Sequence, residues 1–590
     1  MTTFSRTLAQ ILSIAPLAAV VHAATPPDTS TPASAPPQPG QFSAPLKPDL
    51  PYDVDIAQLR KLSETPDQED PPFTIPDGNV PSAQRLFDIF AWQSFIALNW
   101  PATPEGTPDK SKTLADSTAP RVWEHEVEIS EVFRENGAAP RPWKEAVKAS
   151  WSNRTFWMQG MGMGTPPDEP GKPGGINPPL LDESLQAFTG PMVDQEGKWV
   201  RYQVALNQVE FDFLVENKLY NLEGQAAFTA RNQIDFPANQ GTTRHGAMEI
   251  KMAWKQMSDR DDRKRFFVRR ARVIPLTGKP FEADFGLVGM HIAVRTQSSP
   301  TWIWTTFEHV DNTAANDLER DSQGRPLRPT FFNPDNPAKP VNILAAKNAG
   351  PVKQYNPATG KDDGPEVFTT WDESKTTDPT QTLMVLPVAK ATAALNDQVR
   401  GVLKGMDSVF QYYELIGTQW PVAPSFPAFP NGVAAQPDGR LLPASTESIL
   451  FKIPGKVVPV HLVNTTMETF FQQGNQPAGP LAEDDRLPPG LLADPATVFA
   501  TESCAGCHFS AGACIAFKRD NNGRFLVQQK DGKNYRIPIF GKNAVRGMNG
   551  NADYSWLLQL RAQSAPYEGA DVTQLADYLI APTQKICPEQ

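Results

Sequence analysis

Cys504-Ala505-Gly506-Cys507-His508 is the feature that most constrains this 590-residue chain. The C-x-x-C-H spacing puts two thiols and an imidazole on one side of a short turn, the arrangement that attaches a c-type haem. In such an attachment both sulfurs bond to porphyrin vinyl groups, and His508 becomes the proximal ligand of the iron. A structural zinc site needs a second ligand pair nearby, and the sequence offers none. A thioredoxin-like pair needs a βαβ context, which the flanking sequence lacks. The implied cofactor is one covalent haem c.

Covalent haem of this kind requires export, and residues 1–23 read as a secretory signal. Arg6 supplies the positive start, an apolar stretch runs from Leu8 to Val21, and Val21-His22-Ala23 is a small-residue exit. The alternative, an uncleaved anchor, is disfavoured because Gln10, Ser13 and Pro16 interrupt a short stretch. No other run is long and apolar enough to span a bilayer, so a periplasmic location without a membrane span in the mature chain is expected. Of the 4 cysteines, two belong to the haem motif. In an oxidising compartment Cys514 and Cys587 form a disulfide or remain as two buried thiols.

A formal net charge of -11 argues against nucleic acid or an anionic membrane as partner. The Pro-, Ser- and Thr-rich stretch 24–80 reads as a leader or linker, with a short helix between Asp53 and Leu62. Order is expected from Pro81. Ser82 to Asn99 carries Leu86, Phe87, Phe90, Phe95 and Leu98 at helical spacing, and Pro101 ends it. Farther on, Met248, Ile250, Met252 and Trp254 alternate with Glu249, Lys251 and Lys255, the pattern of a half-buried strand. Phe285 to Val294 reads as a strand buried on both faces, and Trp302 to Phe307 as another strand, rich in aromatic and β-branched residues. No P-loop, G-x-S-x-G or dinucleotide fingerprint is present.

Residues 485–590 resemble a class I cytochrome c domain, on Cys504 to His508 and on Val572-Thr573-Gln574-Leu575-Ala576-Asp577-Tyr578-Leu579. The resemblance implies a helix carrying the haem motif, a final helix across it, and a loop bringing a methionine sulfur to the iron. Met548 is the only methionine after the motif and no histidine follows His508, so Met548 is the expected second axial ligand. Ordinary packing is the alternative for its thioether. Two departures stand out: Asn549 follows Met548 where this family often has proline, and 520–533 is a polar insert. Phe509, Ile515, Phe517, Trp556, Leu557 and Leu560 are expected to wall the haem. Gly286 to Val294 and Trp302 to Asn312 resemble a segment of large exported proteins of the cytochrome c family, a resemblance that implies architecture and compartment only.

In the large region, His245, His291, Glu308, His309 and Asp311 lie on or beside the expected strands. They form a candidate polar site for a metal or for acid–base work. The alternative is structural: buried histidines hydrogen-bonded in place and acidic residues capping turns. Met158, Met161 and Met163 form a small cluster suited to Cu(I) or to adaptable packing. Trp92 to Phe95 and Val122 to Glu126 read as core-facing surfaces.

The expected fold is α+β: a large mixed, β-rich N-terminal domain over 81–480, followed by a small all-α cytochrome c domain over 485–590. The expected function is one-electron transfer by a periplasmic monohaem cytochrome, ligated by His508 and Met548. Its large domain would dock a redox partner protein or a small-molecule electron donor. Three rivals are a haem peroxidase or oxygenase with an open sixth position, an oxidoreductase using the haem as internal electron acceptor, and a binding protein with a structural haem.

Overall fold

A computed structural model describes residues 46–152, 155–157, 186, 189–229, 232, 234–313, 328–348, 350–364, 366–369, 371–384, 387–423, 433–435, 441–443, 456–459, 461–472, 504–509, 511, 516–530, 532–539 and 552–574. The expected signal sequence, the Met158/Met161/Met163 cluster, Cys514, Ile515, Met548, Leu575 to Leu579 and Cys587 lie outside the described residues, as do the side chains of Phe509 and Leu560.

Order begins earlier than Pro81. Ile56–Leu62 (α1) starts at Asp55, whose side chain accepts the Gln58 N–H at 3.0 Å. Leu46, Val54, Leu59, Phe73 and Ile75 are all buried in the main core, and Ile75 N–H donates to Val422 O at 2.8 Å. The half of the expected leader from Leu46 onward is therefore part of the folded body. Its apolar residues fill separate sites in the core and follow no helical or strand period, which is why composition alone conceals them.

Val80–Leu98 (α2) is apolar on nearly every side and is enclosed accordingly. Then follow β1 (Val127–Glu128), α3 (Ile129–Val132), α4 (Trp143–Ser152), β2 (Thr155–Trp157), β3 (Arg201–Leu206), α5 (Gln208–Glu216) and α6 (Leu222–Thr229). The expected strands appear as β4 (Met248–Gln256), β6 (Phe281–Val294) and β7 (Ile303–His309), with β5 (Val268–Ile274) among them. The hairpin β8 (Gly350–Lys353) and β9 (Glu366–Thr369), α7 (Lys390–Gly405), β10 (Tyr413–Ala423), the hairpin β11 (Val433–Ala435) and β12 (Leu441–Pro443), and β13 (Lys456–Val458) come next.

Among the described residues, nine strands form one sheet. Its main path runs β1-β3-β4-β6-β7-β10-β13, and β2 and β5 extend the far half of β6. One face carries Ile250, Met252, Trp254, Met290, Ile292, Phe307 and Leu415 into the core under α2 and α7. Phe95 stacks on Phe307 and Phe87 on Trp420, each pair at 4.2 Å, and Trp92 Nε1 donates to Asn396 Oδ1 at 2.9 Å.

The chain from the haem motif onward comprises α8 (Cys504–Phe509), β14 (Ala516–Phe517), β15 (Phe525–Lys530), β16 (Lys533–Arg536), β17 (Pro538–Ile539), α9 (Leu557–Arg561) and β18 (Val572–Gln574). The whole is α+β as expected, but this part is not all-α. Val572–Gln574, expected in a terminal helix, is a strand parallel to β15. Val572 and Thr573 are β-branched and suit that pairing. Ala505, Ala511, Tyr554, Leu557, Leu558 and Ala562 share one hydrophobic cluster with Val127, Leu206, Phe211, Leu222 and Trp304. That cluster forms the second face of the sheet.

Because the 46–80 segment belongs to the core, Phe73→Ala should cost about 3–5 kcal/mol of stability. Denaturant unfolding of the variant checks this; a midpoint unchanged from the parent protein would contradict it.

Candidate functional site

The second face of the sheet carries rows of residues set by strand register. Lys251 on β4 pairs with His291 on β6, which pairs with Thr306 on β7. In the next row Glu249 pairs with Ala293, Ala293 with Trp304, and Trp304 with Gln419 on β10. Alternation in β4 makes this the polar face in the sequence, where it reads as a solvent face. The structure covers it instead, with α5, α8, α9 and residues 461–472.

Residues 461–472 lie close because Gly289 has no side chain. A Cβ there would overlap Thr466 Oγ1 and stand 3.1 Å from Met467 Cε. Asn464 Nδ2 donates to Thr306 Oγ1 at 2.7 Å, Tyr202 OH donates to Thr466 O at 2.8 Å, and Thr465 N–H donates to Glu308 Oε1 at 2.6 Å. The Thr465 hydroxyl donates to the other Glu308 oxygen. Glu468 arrives 3.3 Å from His291 Nε2 and accepts the Asn464 N–H at 2.9 Å. Burial opposes its ionisation, but His291 and Lys251 outweigh burial and bring its pKa down to about 2.

The haem motif folds as α8 over the same face. Gln419 Oε1 accepts the Ala505 N–H at 2.7 Å, Cys504 Sγ donates to Leu462 O at 3.3 Å, and the His508 ring lies over Trp304 with centroids 4.4 Å apart. His508 Nδ1 is 2.8 Å from Tyr554 O. A carbonyl only accepts, so Nδ1 carries the proton and Nε2 keeps its lone pair. Tyr554 (φ 71) and Asp553 (φ 48) both adopt left-handed backbone to present that carbonyl. Burial brings the His508 pKa down to about 4, which keeps the imidazole neutral and able to ligate.

Cys504, Cys507, His508, Lys251, His291 and Glu468 lie within electrostatic reach of one another, deep in the protein. Each nevertheless keeps some accessible surface. The two thiols are not joined to each other or to another cysteine. Two thiols and an imidazole with Nε2 unprotonated, on one short helix, are the donor set that a covalent haem takes. Among the described residues, no group of three or more His, Cys, Asp or Glu is arranged to hold a metal ion by itself.

Of the five polar residues singled out in the large region, only His291 joins this group. His245 stacks on Tyr52 at 4.0 Å. His309 donates from Nε2 to Arg265 O at 2.9 Å, accepts the Asp311 N–H on Nδ1 at 3.1 Å and stacks on Phe266 at 4.0 Å. Asp311 forms a two-point ion pair with Arg265 at 2.7 and 2.6 Å. Glu308 holds Thr465. The five therefore do not converge, and four of them have structural partners. Lys251, Glu468, Trp304, Gln419 and the Tyr554 carbonyl surround α8 without any motif to announce them. Trp556 and Leu557 pack in the cluster behind α8 together with Phe517.

No protein-family model, no curated protein and no solved structure matches this chain.

Burial raises several carboxyls, among them Glu126 and Glu128 to about 8 and Glu249 and Glu308 to about 7. Between the ordinary carboxylate range and these raised values the folded state holds protons that the unfolded chain has lost. Stability from this source therefore falls as pH rises through 7 to 8. Two histidines work the other way. Burial lowers His309 and His508 to about 4, so their contribution changes only below their ordinary value near 6.5. Thermal unfolding should show a higher midpoint at pH 6.5 than at pH 8, with a smaller difference in Glu308→Gln. A midpoint that rises over this interval would contradict the assignment. Separately, Gly289→Ala should cost about 1–3 kcal/mol by displacing residues 464–467, read as a lower denaturant midpoint.

Proposed function

We propose that this chain is a monohaem c-type cytochrome of the periplasm that transfers single electrons. The observation that carries the reading is the His508–Tyr554 hydrogen bond, which leaves Nε2 of His508 unprotonated beside the Cys504 and Cys507 thiols. Cys504 and Cys507 would hold the haem covalently, His508 would ligate its iron, and Met548 is the proposed second ligand. When bound, the haem supplies a one-electron iron couple, and a thioether ligand raises its potential. The protein's own part is positional. Tyr554 O fixes the imidazole plane and tautomer, Gln419 anchors the start of α8, and Trp304 backs the ring of His508. Residues 461–472 and α9 limit access of water. The large sheet domain would dock a redox partner protein or a small-molecule electron donor.

A second reading has one observation in its favour. His291 and Glu468 form an imidazole–carboxylate couple within electrostatic reach of His508, and such a couple can move protons. A peroxidase or oxygenase would use it together with an open sixth position.

Optical spectra of the exported protein, oxidised and reduced, with and without carbon monoxide, separate the two. Electron transfer predicts a low-spin haem indifferent to carbon monoxide; ready binding supports the second reading. Replacing both Cys504 and Cys507 by Ala should abolish covalent haem. Met548→Ala should keep the haem, lower its potential and open the iron to carbon monoxide; unchanged potential and ligand binding would remove Met548 as the ligand.

A further inference from the structure

Behind α8, a second group of ionisable side chains takes no part in holding the haem motif. Glu210, in the first turn of α5, is fully buried, and Asn207 Oδ1 accepts its N–H at 3.0 Å. Its carboxyl faces that of Glu249 on β4, and the two are placed to share a proton. Among the described residues, no other group donates to either oxygen of Glu210 or to Oε1 of Glu249. Two carboxylates only accept and repel each other, so holding them together in the interior requires a proton. The pair is thus a proton-holding site by its geometry.

The groups facing the pair come from every side. The 552–555 turn contributes Asp553, Tyr554 and Ser555, and Ser555 stands beside Glu249. Arg295, just after β6, stands 3.9 Å from Asp553 and 3.1 Å from Asp235. Lys251 lies two residues along β4, and α9 presents the apolar Leu557 and Leu558. Burial pushes Glu249 up to about 7, and burial together with the facing Glu249 raises Glu210 well above the ordinary carboxylate range, with Asp553 adding to both. The connection to the haem motif is short. Ser555, the neighbour of Glu249, follows Tyr554, whose carbonyl accepts the His508 Nδ1 proton at 2.8 Å.

We propose that Glu210 and Glu249 form a proton-binding site coupled to the haem, so that the pair takes up one proton from water when one electron enters. This rests on the haem reading above. The balance is simple: a one-electron donor protein supplies the electron, ferric iron becomes ferrous, and the pair gains the proton. The positive charge lost at the iron is replaced at the pair, and the net charge of the interior is unchanged. An uncompensated charge in a low-dielectric interior is costly, which gives the coupling its sign.

The test is the midpoint potential of the full-length haem-loaded protein across about pH 5.5 to 8.5, the span around the raised carboxyl values. Haem staining on a denaturing gel comes first: a chain without covalent haem overturns the haem reading and this proposal with it, before any potential is measured. With haem attached, the potential should fall as pH rises, with a slope approaching about 59 mV per unit near neutrality. Glu249→Gln and Glu210→Gln should each flatten the slope. Reduced-minus-oxidised infrared spectra of the parent protein should gain a protonated carboxyl band that Glu249→Gln lacks. A potential independent of pH in the parent protein overturns the proposal. So does a slope that survives in both variants, which would assign the proton to another group such as a haem propionate.

Discussion

The close approach of residues 464–467 to Gly289 is the constraint on which the covered face depends. Without a side chain at that point of β6, backbone can lie directly on the sheet. Thr465 then reaches Glu308, Asn464 reaches Thr306, and Glu468 reaches His291. The first two contacts satisfy polar groups that the sheet would otherwise bury unpaired, at a cost of about 1–3 kcal/mol. The polar face of β4 and β6 becomes an interior because this segment and α8 bring matching donors and acceptors to it.

Much of the framework was legible in the sequence. α2 followed from apolar spacing, and β4, β6 and β7 from alternation and β-branched runs, because period reports local geometry directly. What covers a face is a different matter. Glu249 and Lys251 alternate with apolar neighbours whether the polar side meets water or protein. Residues 461–472 and 504–509 reach them from far along the chain, and spacing does not encode that. The same limit hid the role of 46–80, where Phe73 and Ile75 fill single sites with no period to betray them.

The candidate site was legible in its local motif and not in its surroundings. C-x-x-C-H is a run of adjacent residues, so Cys504, Cys507 and His508 could be named from spacing. Tyr554 acts through a backbone carbonyl, which carries no side-chain signature. The five polar residues chosen for their strand positions show the opposite failing: proximity in sequence did not bring them together. Glu308 and His309 are neighbours in the chain, yet a strand turns them to opposite faces, one toward Thr465 and the other toward Arg265 and Phe266.

The second hydrophobic cluster joins Val127, Ile129 and Leu206 to Leu557, Leu558 and Ala562. These contacts span most of the chain, and closing so long a loop carries an entropic cost that local contacts do not repay. During synthesis the early strands emerge with this side of their sheet covered only in part, by α5, and residues 461–472, α8 and α9 complete the cover later. The order of assembly is thereby written into the topology: the body under α2 can form first, and the side bearing the haem motif closes last.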